Sequence, residues 1–507
     1  MIPKHFILRL CITLLLTCCH LTITAMPREY RAVWLTTYLN LDWPKKPATT
    51  PEGAERQKEE LRQMLDKYVA ANINTVFVQA RMRSTTAYQS KYEPWDEAFT
   101  GTPGKAPLYD PLAFAIEECH KRGLECHAWV VSFPICKVPT EKKLGKQALP
   151  HKRPELCQRC DDVWMLDPGV PGTAEYLATI CEEIVTNYNV DGIHLDYIRY
   201  PEKAIKFNDA KTYKKYGNKQ NKATWRRANV TRCVTQIHTA IKTVRPWIKL
   251  TCAPIGKYKD LPRQSSYGWN AYSAVNQEAQ EWLKDGLMDA LFPMMYFDGK
   301  HFYPFAVDWQ ENCAGRPVVP GLGIYFLNRH LQNWSLEIVR RQMHVTRDLG
   351  MGGHAFFRSE FLLNNEKGLY DWLQRDFYKS PAMTPAMTWT DSIPPIAPKA
   401  EITKSGHSIN LKWNAVEDAT PIYYNVYRIC KDDTTPKCIA HKLRQTTFHY
   451  TPALPELLYE QYAITSVDAY GNESALIPIN IPQAADSNTL SSAEKVKKAY
   501  EHLWGKK

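Results

Sequence analysis

The stretch whose reading decides the fold is Asp191–Pro201, DGIHLDYIRYP. Ile193 and Leu195 supply one apolar face of a short strand, and His194 and Asp196 share the opposite parity. A strand with aliphatic residues on one face and a histidine and an aspartate on the other fits a parallel barrel. Its aliphatics face surrounding helices, and its polar pair points into the barrel near the top. A carboxylate in that position is costly unless paired or used. Asp196 is therefore the leading candidate for a catalytic group, and the plainer alternative is an Asp196–Arg199 pair that fixes the following loop. Asp191, at the start of the strand, reads as a turn or cap residue.

The same texture extends on both sides. Short β-rich runs fall at Arg31–Thr37, Thr75–Ala80, Glu125–Val131, Gly192–Asp196, Ile248–Ala253, Ala290–Tyr296, Val318–Ile324 and His354–Phe357. Amphipathic stretches separate them: Glu55–Ala70, Pro111–Arg122, Thr173–Tyr188, Thr224–Val244, Gln277–Lys284, Leu336–Leu349 and Gly368–Phe377. In Thr173–Tyr188, for example, Tyr176, Leu177, Ile180, Ile184 and Val185 recur at helical spacing. Parallel strands need crossover connections, normally helices. Eight such units predict an α/β chain closed into a (β/α)8 TIM barrel over residues 28–380. An open doubly wound sheet is disfavoured, because no glycine-rich phosphate turn follows the first strand.

At residues 381–398, PAMTPAMTWTDSIPPIAP, the texture changes to a semi-rigid proline-rich linker. Alternating runs follow at Ser408–Trp413, Tyr423–Ile429, Thr447–Thr451, Gln461–Val467 and Leu476–Ile481, predicting a small all-β sandwich over residues 399–483. Its segments INLKWNAV, YYNVYRI and QYAITSVDAYGNES resemble a fibronectin type III module. Residues 484–507 form a charged tail.

Apolar and charged fractions of 44% and 23% exclude wholesale disorder. The 15 Trp and 28 Tyr suit the apolar faces of sugars, although large barrels bury many aromatics too. The net charge of +11 is spread along the chain, and no nucleic-acid motif accompanies the basic stretch Lys203–Lys222, which reads as a solvated insertion. Residues 1–25 have a positive start (Lys4, Arg9) and a short apolar run, the pattern of an export signal cleaved near Ala25. The product would be periplasmic, cell-surface or secreted. Cys18 and Cys19 raise the alternative of a lipid anchor as the sole membrane attachment. Cys157-x-x-Cys160, with Cys136 and His151 upstream, could bind zinc or close a small disulfide, and Cys430 could pair with Cys438.

In a parallel barrel, chemistry sits at the C-terminal ends of the strands. Those ends carry Thr36 and Thr37; Gln79, Arg81 and Arg83; His127, Trp129 and Ser132; His194, Asp196, Tyr197 and Arg199; Tyr296 and Asp298; Tyr325; and Phe357, Arg358 and Glu360. Glycoside hydrolysis normally requires two carboxyl groups. Asp196 is one, expected to be ionised as nucleophile or transition-state stabiliser, and Asp298 or Glu360 is the expected second, as proton donor. Asp298 also reads as a turn residue before Gly299, and Glu360 as a helix N-terminal charge. Asp167 in LDPG and Glu93 in YEPW are further options. His127 and His194 would need a third converging ligand to hold a metal. No metal or other cofactor is expected, and neither a nucleophile elbow nor a phosphate loop appears.

These motifs have a family likeness. REYRAVWLTTYLNLDWP, VFVQARMRSTTAYQSKYEPW, GLECHAWV, and DGIHLDYIRYP followed by WRRANV resemble the glycosyl-hydrolase-like family 10 proteins, which are exported bacterial proteins and often lipoproteins. The resemblance runs from about Arg28 to Trp372. It implies a TIM barrel and a hydrolase of O-glycosidic bonds in a polysaccharide or cell-wall glycan, with peptidoglycan strands a leading substrate. A non-catalytic glycan-binding protein on an inactivated barrel is the alternative. The motif carries Asp196 over as the acid residue and Gln79, Arg81, His127, Trp129 and His194 as active-site-face positions. Trp34, Trp129 and Tyr296 would form the sugar platform, with Arg81 and Arg199 orienting the substrate. This chain departs from many relatives in having Tyr197 where they have a second Asp, and Pro293-Met294-Met295-Tyr296-Phe297 where they have Pro-Gln followed by Tyr and Trp. Both departures leave Asp298 and Glu360 open as the partner.

Overall fold

The computed structural model describes residues 26–202, 206–430, 436–452 and 459–481. The expected export signal, the lipid-anchor cysteines, the charged tail and the Cys430 side chain lie outside them.

Eight parallel strands form one sheet: β1 (Tyr30–Leu35), β2 (Thr75–Arg81), β3 (Glu125–Val131), β4 (Gly192–Asp196), β5 (Lys249–Cys252), β6 (Ala290–Leu291), β7 (Gly321–Leu322) and β8 (Gly353–Phe356). Their order is β7-β8-β1-β2-β3-β4-β5-β6. Parallel bridges Leu291↔Val318 and Met294↔Gly321 join β6 to β7 and close the barrel. The sixth and seventh strands are shorter than their apolar runs suggest. Pro293 and Pro320 interrupt those runs, and neither can donate a ladder hydrogen bond.

The strands alternate with α1 (Pro51–Ala70), α2 (Pro111–Lys121), α3 (Pro171–Asn187), α4 (Lys222–Val244), α5 (Ala279–Lys284), α6 (Tyr303–Glu311), α7 (Leu336–Asp348) and α8 (Leu369–Trp372). Local chemistry starts several of them. Thr50 and Asp110 each accept from a backbone N–H of the first turn, followed by Pro51 and Pro111, where a missing donor is harmless. The sequence reading omits α6. It also omits a three-stranded antiparallel insertion after β3, formed by Pro134–Lys137, Val163–Leu166 and Cys157–Cys160. That insertion excludes the small disulfide, because Cys157 and Cys160 are the two ends of one extended strand, roughly 10 Å apart at about 3.3 Å per residue. His151, the upstream member of the zinc alternative, bonds Glu141.

The motif DGIHLDYIRYP now has a physical account. Asp191 ties the foot of β4 to its neighbours, accepting from Cys126 N at 2.8 Å and from His120 at 2.9 Å. Gly192 faces inward, where a Cβ would stand 2.5 Å from the His127 ring. Ile193, Leu195, Ile198 and Tyr200 are buried in the layer between barrel and helices. The barrel interior is a separate core of Tyr30, Ala32, Trp34, Phe77, Trp129, Val131, Ala253, Ala290, Phe292, Val319 and Ala355.

The C-terminal module has two antiparallel sheets, compatible with the fibronectin-like expectation. One contains Ala400–Ser405, Ser408–Trp413 and Thr447–Tyr450. The other contains Lys437–Leu443, Tyr423–Cys430, Tyr459–Val467 and Ile479–Asn480. The module docks on the barrel floor, the end opposite the loops that follow the strands. There Glu125 receives Lys249 at 2.7 and 2.8 Å, Thr384 of the proline-rich segment at 2.7 Å, and Lys442 of the sandwich at 3.0 Å. A cavity at this interface is lined by Glu125, Asp191, Lys249, Thr384 and Lys442. Its principal charges are mutually paired and face away from Asp196. Among the described residues, no helix is long and apolar enough to cross a membrane.

Candidate active site

At the mouth of the barrel, Asp196 ends β4 with 5% exposure. Its Oδ1 accepts from Tyr197 N at 2.7 Å and its Oδ2 from Trp129 Nε1 at 3.2 Å. Val131 and Asp196 are register partners in the β3–β4 ladder, which brings the Trp129 indole beside the carboxylate. Tyr197 makes its bond from a left-handed backbone, φ 51°, uncommon for a bulky residue and of the kind that clusters at functional sites. Burial raises the Asp196 pKa above the ordinary carboxylate value. Arg199, the Tyr197 N–H, Trp129 and Arg83 each oppose that rise.

The wall beside Asp196 is aromatic. Tyr296 stacks on Phe357 at 5.3 Å and meets the edge of Tyr325 at 5.8 Å. Burial, and then the charge of Asp196, push the Tyr296 hydroxyl pKa upward. Arg199 lies over the Tyr197 ring at 4.2 Å and 6.0 Å from Trp269, and Arg83 lies over Tyr38 at 4.9 Å. Asp196, Trp129, Arg199 and Tyr296 are thus the members of the expected set that come together.

The others are placed differently. Trp34 and His194 belong to the interior filling, not to an open platform. Trp34 Nε1 donates to His194 Nε2 at 3.0 Å, so the histidine proton is on Nδ1 and is given to Thr251 Oγ1 at 2.9 Å. The His194 ring stacks on Phe77 at 3.9 Å. Burial and then His127 hold its pKa far below the usual imidazole value, so it is neutral. His127 lies lower still, its Nε2 3.1 Å from Glu125 on the barrel floor. These three side chains correct the expectation of a mouth position, because the inward residues stack in layers and only the top layer opens outward.

Arg81 is also corrected. It is fully buried, and its guanidinium is engaged by Glu93 through two bonds of 2.7 Å and by the carbonyls of Val131 and Ser132. Glu93 is thereby removed as a free carboxylate and also accepts from Tyr176 at 2.8 Å. Gln79 uses its Oε1 on Thr37 N and Tyr38 N, at 3.1 and 2.9 Å, to shape the loop after β1. Asp167 accepts from Gly169 N at 2.9 Å and from Thr212.

The two proposed partners of Asp196 are engaged elsewhere. Asp298 is exposed and accepts from Gly299 N at 2.6 Å, the turn role. Glu360, half-buried, pairs with Arg358 at 2.7 Å and with Lys45 at 3.9 Å. Sequence reasoning missed Asp42, a buried carboxylate after β1 that binds Thr36 N at 2.8 Å, Glu360 N at 3.0 Å and Arg358. It also missed Trp269 and Tyr267, 43% and 53% exposed, in the loop after β5. Exposed aromatics in SSYGWN are the one local signal that could have found the latter pair.

The chain is thus a closed parallel barrel with a buried carboxylate and an aromatic wall at its C-terminal mouth. The family model described as Glycosyl hydrolase-like 10 matches residues 29–321, and the chain belongs to that family. It is 33% identical to Glycosyl hydrolase YngK of Bacillus subtilis (strain 168) over 473 residues, 88% of this chain and 92% of that one. It is 31% identical to Glycosyl hydrolase DigH of Escherichia coli (strain K12) over 286 residues, 53% of this chain and 65% of that one. Among solved structures, the PgaB (BpsB) glycoside hydrolase domain from Bordetella bronchiseptica aligns with a TM-score of 0.47 at 15% identity, over 68% of this chain and 98% of that one.

Proposed function

We propose that the chain is an exported hydrolase of O-glycosidic bonds in a polysaccharide or cell-wall glycan, peptidoglycan strands included, with Asp196 as its proton-transferring carboxyl group. The observation that carries this reading is the environment of Asp196: a buried carboxyl at the barrel mouth, bonded only by N–H donors and bordered by aromatic rings. Its raised pKa suits a group that donates a proton to a leaving oxygen. Family membership and relatives called glycosyl hydrolases support the reaction class.

Incubating the full chain with purified glycan strands and a panel of polysaccharides, with product ends read by mass spectrometry, tests the proposal. The native chain is expected to release new reducing ends. Asp196→Asn is expected to lose about 10²–10⁴-fold in rate while keeping its fold. Undiminished turnover in that variant sinks the assignment.

A second reading, a glycan-binding protein without hydrolytic activity, is favoured by one observation. Asp298 is engaged in a turn and Glu360 in an ion pair with Arg358. Retained glycan binding with no product from any strand would select it.

A further inference from the structure

Arginines in this protein are normally tied to carboxylates when they are buried. Arg81 holds Glu93 and Arg31 holds Glu29, and the partly buried Arg358 holds Asp42. Arg199 is the exception that faces the candidate site. It is 5% exposed, and its Nε is buried without a hydrogen-bond partner. Among the described residues its guanidinium enters no hydrogen bond or ion pair, and its contacts are the faces of Tyr197 and Trp269. Asp196 attracts Arg199 electrostatically but shares no hydrogen bond with it, so the donors of this largely buried guanidinium are left for a further acceptor.

The local charge balance points the same way. Arg199 and Arg83 both act on Asp196 and Tyr197, so two arginines stand against one buried carboxylate. Asp196 already accepts on both oxygens. The nearest other acid acting on Tyr197, Glu202, is exposed to solvent. Arg83 is half-buried and lies over Tyr38. The mouth therefore carries surplus positive charge beside rings suited to a sugar.

We propose that Arg199, assisted by Arg83, binds a carboxylate carried by the substrate, so that the site selects an acidic glycan over a neutral one. The planar fork of a guanidinium matches a carboxylate through two parallel N–H bonds, and an aromatic face beneath it fixes the plane. Two sugar chemistries present such a group: a uronate ring, and an amino sugar bearing a lactyl ether. This inference rests on the glycan reading above and adds the group that is recognised.

The test is a cycle of ligand charge against arginine. Full-length protein in the Asp196→Asn background, with Arg199 intact or changed to Met or Lys, is titrated calorimetrically. The probes are uronate oligosaccharides and peptide-free lactyl-ether oligosaccharides, each as free acid and as methyl ester, with neutral chito-oligosaccharides as reference. One acid series is expected to bind at least about tenfold tighter than its ester, and that ratio to fall below about twofold in Arg199→Met. Arg199→Lys, which keeps charge but not the fork, is expected to fall between. Whichever series shows the preference identifies the source of the carboxylate.

Equal affinity for acid and ester in both series, with Arg199 intact, overturns the proposal. So does an acid preference that survives in Arg199→Met. In the Asp196→Asn background, Arg199→Met is also expected to melt at the same temperature or higher, since a largely buried cation whose one neighbouring carboxylate has been neutralised is removed. A drop of several degrees would reassign Arg199 to the scaffold. Turnover by the Asp196-intact chain is scored separately. Loss of the hydrolase reading with retained acid preference leaves this inference standing, and the converse leaves the hydrolase reading standing.

Discussion

Asp196 carries a burial cost that its neighbours only partly offset. Burial raises its folded pKa, and Arg199, the Tyr197 N–H and Trp129 pull it back by less. Such a carboxyl holds its proton more tightly folded than unfolded. The stabilisation is present below the unfolded value, about 3.9, and is lost as pH rises through the folded value. At pH 7 the ionised group is a net cost. Asp196→Asn is therefore expected to melt no lower than the native chain at pH 7, with any advantage shrinking towards pH 4, in paired thermal scans. Trp129 offers a second test. Its N–H favours the charged carboxylate, so Trp129→Phe raises the Asp196 pKa further. If Asp196 is the proton donor, the alkaline limb of the kcat/KM profile moves to higher pH; a limb that moves downward excludes that role.

At the scale of elements, the segment after β2 shows how an expected substrate contact becomes a clamp. Arg81 ends the strand, and its pair with Glu93 pins the loop between them against the end of β3 and the Tyr176 hydroxyl of α3. Removing one partner leaves a buried charge without compensation. Arg81→Met is expected to destabilise the chain by about 3–5 kcal/mol in denaturant titration. Arg81→Met with Glu93→Gln should recover part of that loss; a double variant no better than the single one would show that packing, not charge, is lost. The strand positions were legible because alternation and apolar runs are local. The insertion after β3 was not, because its strands are only four residues each and two of them are half-buried, with no continuous apolar face.

For the whole molecule, the feature with the largest reach is the barrel floor. Lys442 of the sandwich enters the Glu125–Lys249 pair, and Arg444 donates to His120, whose other ring nitrogen bonds Asp191. Burial alone would raise the Glu125 pKa, but Lys249 and Lys442 outweigh it and hold the carboxyl well below its usual range. Its contribution to stability is therefore present above the unfolded value, about 4.3, and is lost as pH falls through the folded one. Barrel and sandwich are expected to unfold in one calorimetric transition at neutral pH. Lys442→Met should lower stability by about 1.5–3 kcal/mol, the scale of a hydrogen bond to a charged group, because Lys249 still compensates Glu125. Two separate transitions in the native chain would show that the floor does not couple the modules.

The strand that ends in Asp196 and the alternation of strands and helices were readable along the chain, because each depends on the parity or periodicity of neighbouring residues, and the family was readable from the resemblance of its motifs. Depth within the barrel was not. Trp34, His127 and His194 have inward parity like Asp196, yet they fill lower layers. The stagger of eight strands, which the sequence does not display, decides which inward residue opens to the mouth. Charge pairing was also decided only in three dimensions. Arg81 found Glu93, and Glu360 found Arg358, while Arg199 was left with aromatic faces and no hydrogen-bonded carboxylate. Sequence determined which residues line the barrel; tertiary structure decided which of them remain free to meet a ligand, because long-range packing consumes the others' hydrogen bonds.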